Sequence, residues 1–138
     1  MNLLNGIKQC KFIKQLHQLH AYSISSGLLL LHPSPFLNAI LHAFASILIP
    51  TTNNLAKSAT FNPSNYAHSV FRSIPNPSTF SYNNLIRAHT LLSAPFCTLE
   101  IFTLLRRLSV PPDFHTFPFV RRDCAQLRVL ALSQSVHL

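Results

Sequence analysis

This sequence predicts an all-α fold, a right-handed α-solenoid of stacked helix-turn-helix repeats, on three observations. Apolar residues recur at helical spacing in successive stretches, prolines fall between those stretches, and one pattern returns after thirty-five residues. Segment 79–113 is the clearest unit: its Ser81, Tyr82 and Leu85 come back as Thr116, Phe117 and Val120 in the segment that opens at Phe114. A hydroxyl, an aromatic and an aliphatic thus keep one register. A hairpin of this length buries its apolar face only against its neighbours, which places function along an extended surface.

The helical patterns cover 7–25, 36–47, 65–73, 82–92, 98–108 and 117–127, with another starting after Val129. In the first, Ile13, Leu16, His20 and Ile24 share a face, and Gly27 stands where a left-handed cap ends the helix. Pro33, Pro35, Pro50, Pro63, Pro75, Pro77, Pro111 and Pro112 interrupt the hydrogen-bond ladder and mark turns, while Pro95 and Pro118 suit first helical turns. Residues 47–64, polar and rich in Thr and Asn, read as a loop of about fifteen residues inserted into the second hairpin. In segment 79–113, Tyr82, Leu85, Ile86 and His89 form one stripe. The second helix of that unit is apolar all round through Leu99, Ile101, Phe102, Leu104, Leu105 and Leu108, which predicts that it is sandwiched between neighbours.

Eleven Lys and Arg against three acidic residues give a formal net charge of +8, which suits a polyanionic partner or an organelle protein with a solvated basic face. Cys10, Cys97 and Cys124 have no paired spacing, so each is expected to act as a buried small hydrophobe in a reducing compartment. His17 and His20 are a helical i, i+3 pair without an acidic or cysteine partner, and neither a metal nor a cofactor is expected. The most apolar run, 35–50, contains Asn38 and His42 and falls short of the roughly twenty residues that a membrane span requires.

These units resemble pentatricopeptide repeats of the plant organelle type with mixed unit lengths. The motifs are SYNNLI, LEIF and VPPD in 79–113, TFPFVRRDCA from Thr116 followed by SQSVH, and FLNAIL with YAHSVFRSIPNPS in 34–78. On this resemblance, 1–31 is a partial N-terminal repeat, the second helix of a longer-type unit; 34–78 is a short-type repeat enlarged by the inserted loop 47–64; 79–113 is a standard repeat; and 114–138 is a longer-type repeat that stops early. Ser109 and Ser133 stand where the family usually has glycine, and Thr98 replaces its small alanine at the tight helix crossing.

The resemblance implies single-stranded RNA binding at one base per repeat, read by the fifth residue of a unit together with its last. The pairs are then Asn83 with Asp113, similar to combinations that favour uridine, and Asn38 with Ser78, similar to those that favour cytidine. Pro118 holds the fifth position of the last unit and offers no side-chain donor. The second residues, Pro35, Phe80 and His115, flank the bases, with Phe80 and His115 supplying rings for stacking. Arg87, Arg106, Arg107, Arg121 and Arg122 add salt-sensitive phosphate contacts. Read as residues alone, Asn38, Asn83 and Asp113 are also ordinary helix caps or turn formers, and that alternative stays open here.

The expected function is recognition of organelle RNA within an editing or processing factor, in mitochondrion or chloroplast with the mitochondrion preferred. Editing or processing proteins act in trans, and no membrane is involved. The chain is expected not to be an enzyme, since the zinc deaminase signature of H-x-E with C-x-x-C does not occur in it. Two further readings are a helical-repeat scaffold for protein partners and an N-terminal fragment or truncated product without independent function. Two readable bases supply about 2 to 6 kcal/mol of stacking, which makes a longer array the natural source of transcript selectivity.

Overall fold

The computed structural model describes residues 2–55 and 61–136. Among them the order is α1 (Leu3–Lys8), α2 (Ile13–Ser25), α3 (Leu28–Leu31), α4 (Pro33–Leu55), α5 (Pro63–Arg72), α6 (Thr79–Leu91), α7 (Pro95–Arg107) and α8 (Thr116–Val136). No strand occurs among the described residues, and no helix there is long and apolar enough to cross a membrane.

The helices stack in two rows. α1, α4, α6 and α8 pack one on the next and form the first row, while α2, α5 and α7 each fold back on the helix before them and also touch the next first-row helix. Fully buried Leu37, Ile40, Leu41, Phe44, Leu85 and Ile86 make the first row continuous, each contributing about 1.5–3 kcal/mol. Tyr82, Leu85, Ile86 and His89 are all buried, as their shared stripe requires.

The N-terminal segment differs from its predicted form of one helix over 7–25. Ile7 and Leu16 are both fully buried, yet nine residues on an unbroken helix would set them about 180° apart. Extended Phe12, at φ −130°, breaks the helix so that both reach the core. The resulting α1, capped by the Asn2 side chain, occupies a first-row place against α4, so 1–31 holds more than a second helix. Ile24, expected on the apolar face, is exposed. Gly27 does adopt the left-handed conformation, at φ +79°.

The loop predicted over 47–64 is also corrected. Ile47 and Leu48 extend the buried stripe of Phe44 by three and four residues, and α4 runs on to Leu55 through Pro50, although an interior proline removes an amide donor and crowds the preceding turn. Residues 56–60 of the expected loop lie outside the described residues, and Asn62 is extended before it caps α5.

Among the described residues α7 packs on α6 and α8 but is not enclosed on all sides: Ile101 and Leu105 are buried, whereas Leu104 and Leu108 are exposed. Of the cysteines, Cys10 is buried, Cys97 partly so, and Cys124 is exposed on α8, against the expectation for the last.

Candidate nucleic-acid interface

Two first-row helices, α6 and α8, begin with a reciprocal cap. The Ser78 side chain accepts from the Ser81 N–H at 3.4 Å, and Ser81 Oγ accepts from the Ser78 N–H at 3.1 Å. One unit later, Asp113 Oδ1 accepts from the Thr116 N–H at 3.2 Å, and Thr116 Oγ1 accepts from the Asp113 N–H at 3.0 Å. These boxes satisfy amides that would otherwise be unpaired at a helix start. They also set the last residue of one unit beside the first turn of the next.

That geometry joins Asn83 to Asp113. The Asn83 Nδ2 donates to Asp113 Oδ1 at 3.0 Å, and Thr116 Oγ1 donates to Asn83 Oδ1 at 2.6 Å. Desolvation pushes the Asp113 carboxyl up, but donors from Asn83, the His115 N–H and Thr116 outweigh it and hold the group below its ordinary value. Thr79 Oγ1 donates to the Pro111 carbonyl at 2.6 Å, tying the start of the unit to its end.

Asn38 and Ser78 are arranged differently. Ser81 stands between them, donating to Asn38 Oδ1 at 2.6 Å while its oxygen lies 3.3 Å from Ser78 Oγ. Neither Asn38 nor Asn83 caps its own helix; each lies within the first turns of α4 or α6 and bonds across to the following unit. Ser78 caps α6, and Asp113 both caps α8 and bonds Asn83.

Two adjoining cavities open along the first row. One of about 350 Å³ is lined by His42, Phe80, Asn83, Asn84, Arg87, Asp113, His115 and Phe119. The other, of about 470 Å³, is lined by Leu4, Lys8, Pro35, Asn38, Ala39, His42 and Phe80. Half-exposed Phe80 is common to both, so Pro35 and Phe80 border one cavity while Phe80 and His115 border the other. An aromatic wall with an amide at its base is suited to a planar ring that carries polar edges.

Arg87 reaches the first cavity, where burial pushes its guanidinium below the ordinary value. Arg121 and Arg122 are exposed on α8 and are not among the residues lining either cavity. Arg106 and Arg107 lie on α7, with Arg106 stacked 6.0 Å above the Phe102 ring. Pro118 is exposed at the start of α8.

Residue-by-residue reading missed several participants. Lys8 and Leu4 enter from α1, which was not expected as a separate helix. His42, also missed, lies four residues beyond Asn38 just as the expected Arg87 lies four beyond Asn83, one turn along the same face, a relationship that helical spacing makes visible. His42 Nδ1 lies 3.0 Å from Asn84 Oδ1, and the buried Asn84 Nδ2 has no partner among the described residues. Among the described residues no cluster of three metal-binding side chains occurs.

No family model and no solved structure matches the chain. Curated relatives do. A pentatricopeptide repeat-containing protein of Arabidopsis thaliana is 44% identical over 122 residues, covering 86% of this chain and 23% of that protein. A second, named chloroplastic, is 31% identical over 97% of this chain and 16% of its own length. A third, named chloroplastic/mitochondrial, is 34% identical over 93% of this chain and 18% of its own. The chain therefore spans about a fifth of the length of these relatives. With relatives of this kind at 30–44% identity over most of its length, and with an all-helical stack of hairpins, the findings support a pentatricopeptide repeat protein.

Proposed function

We propose that this chain binds single-stranded RNA as part of an organelle RNA-editing or RNA-processing factor, each competent hairpin addressing one base. The observation that carries the reading is the Asn83–Asp113 bond of 3.0 Å at the edge of a cavity bordered by Phe80 and His115. A base stacked between those rings meets an amide held in place before it arrives. Such preorganisation lowers the cost of binding. Asn38 with Ser78 serves the neighbouring base, Lys8 and Arg87 supply positive charge beside the two cavities, and the net charge of +8 favours a polyanion.

The reading assigns recognition to this chain and the reaction to proteins supplied in trans. Mitochondrion or chloroplast is the proposed compartment, consistent with relatives named for those organelles. Transcript choice belongs to the longer array of which the relatives are examples.

A titration of the chain with labelled pyrimidine-rich single-stranded RNA tests the proposal. Asn83→Ala combined with Asp113→Ala is expected to weaken binding while circular dichroism shows the helices intact. Unchanged affinity in a folded variant, or equal binding to duplex DNA at matched salt, would remove the base-reading proposal.

A scaffold for protein partners is the second reading, favoured by the outer face of α7. There Phe96 and Leu104 are exposed beside a shallow cleft of about 510 Å³ that also carries Glu100 and Arg107. Salt-insensitive capture of a peptide on that face would support it.

A further inference from the structure

We infer that the hydroxyls of Ser81 and Thr116 orient the asparagine of the preceding unit, and so decide which base edge that unit accepts; this rests on the RNA-reading proposal. Both hydroxyl residues are fully buried and neither lines the two cavities. They act through another side chain and are positioning residues.

The geometry occurs twice. Ser81 Oγ lies 2.6 Å from Asn38 Oδ1, and Thr116 Oγ1 lies 2.6 Å from Asn83 Oδ1. In each case the hydroxyl oxygen accepts a backbone N–H from the last residue of the preceding unit, Ser78 at 3.1 Å and Asp113 at 3.0 Å. A hydroxyl carries one proton. The asparagine amide oxygen, at 2.6 Å, is a nearer acceptor for that proton than Ser78 Oγ, 3.3 Å from Ser81 Oγ, or Asp113 Oδ1, 3.2 Å from Thr116 Oγ1.

At Asn83 the polarity has a second constraint. An ionised carboxylate only accepts, so Asp113 must face the amide nitrogen, and the amide oxygen is left to Thr116. One N–H of Asn83 is then committed to Asp113, and the other remains for a ligand. The unit thus presents a donor to a carbonyl or ring-nitrogen acceptor, and which base it accepts depends on where that acceptor falls when the ring is stacked. At Asn38 the hydroxyl of Ser81 acts without a carboxylate, which makes that site more dependent on it.

The consequence is a crossed dependence. Ser81 lies on α6 with Asn83 but governs Asn38 on α4, so a change in one unit alters the base preference of the unit before it. A local packing defect in α6 would instead disturb Asn83, its own helix-mate.

The test follows the side-chain amide NMR signals of Asn38 and Asn83 while the 138-residue chain is titrated with ribo-octamers of U, of C and of A. Ser81→Ala is expected to reduce pyrimidine discrimination at the Asn38 amide about three- to tenfold, the loss of one hydrogen bond, with Asn83 unchanged. Ser81→Thr restores it. Thr116→Val does the same at Asn83 and spares Asn38, with Thr116→Ser as the rescue. Loss confined to Asn83 in Ser81→Ala, or loss at neither amide in a folded variant, overturns the inference. If the unsubstituted chain discriminates among no bases, the RNA-reading proposal fails by itself. The positioning is then decided in RNA-free protein, where Ser81→Ala must shift the Asn38 amide signals and Ser81→Thr must not; unshifted signals in Ser81→Ala overturn it.

Discussion

The Asn83 amide and the Asp113 carboxylate meet at 3.0 Å although thirty residues of chain separate them. α7 closes that distance by folding back on α6, so that the turn after it delivers Asp113 to the first turns of the helix that carries Asn83. Because Asp113 also caps α8 through the His115 and Thr116 amides, one carboxylate links a unit's reading position to the stacking of the next hairpin.

Acid should loosen this link. The folded-state value of Asp113 lies below its ordinary 3.8, so its contribution to stability is present above that value and is lost as pH falls through the folded one. Urea midpoints measured between pH 5 and pH 2.5 are expected to drop less steeply in Asp113→Asn than in the unsubstituted chain. Identical slopes would contradict the capping role.

A second pH effect lies in the histidines. Burial, with His17 nearby, lowers the value of His20, whose Nδ1 lies 2.8 Å from the Tyr66 hydroxyl and ties α2 to α5. Burial likewise lowers His17, His68 and His89. A lowered value means that the neutral form is favoured in the fold, so the contribution is complete above the ordinary 6.5 and declines as pH falls below it. The thermal midpoint is expected to be lower at pH 5.5 than at pH 7.5, and an equal or higher midpoint at pH 5.5 would contradict this.

Phe80 borders both cavities, so Phe80→Ala is expected to weaken RNA binding at two adjacent positions, at roughly 1 to 3 kcal/mol per base. His115→Ala, which touches one cavity, should cost less. Isothermal titration with a pyrimidine octamer would rank the two variants, and a larger effect from His115→Ala would contradict the shared-wall geometry.

Ser109 adopts φ +59° after α7, a left-handed conformation that disfavours side chains. It is exposed, so Ser109→Gly is expected to raise stability by about 1 kcal/mol, read from the urea midpoint. A lower midpoint would mean that the serine side chain makes a contribution larger than its backbone strain.

Much of the hairpin order was legible because the helical period and the prolines act locally. The places where the reading failed have local reasons too. The broken N-terminal helix comes from a conflict between Ile7 and Leu16 that only appears once both must face α4. The continuation of α4 past Ile47 begins at buried Leu48, one turn beyond Phe44, where a core contact and a polar, proline-marked composition point in opposite directions. Exposed Leu104 and Leu108 show that an apolar circumference does not reveal which sides have neighbours.

By itself the sequence determined the stack of hairpins, the thirty-five-residue register and the positions at which asparagine, aromatic and hydroxyl recur, since these follow from side-chain periodicity along one chain. The tertiary structure decided what those positions touch. Recurrence of Ser81 as Thr116 marks a register, but only the superposition of successive first-row helices sets each hydroxyl 2.6 Å from the asparagine of the unit before. It likewise makes Phe80 a wall between two cavities and leaves Arg121 and Arg122 outside them. The physical reason is distance along the chain: contacts between residues thirty to forty-five positions apart depend on how one hairpin seats on the next, and side-chain periodicity carries no term for that.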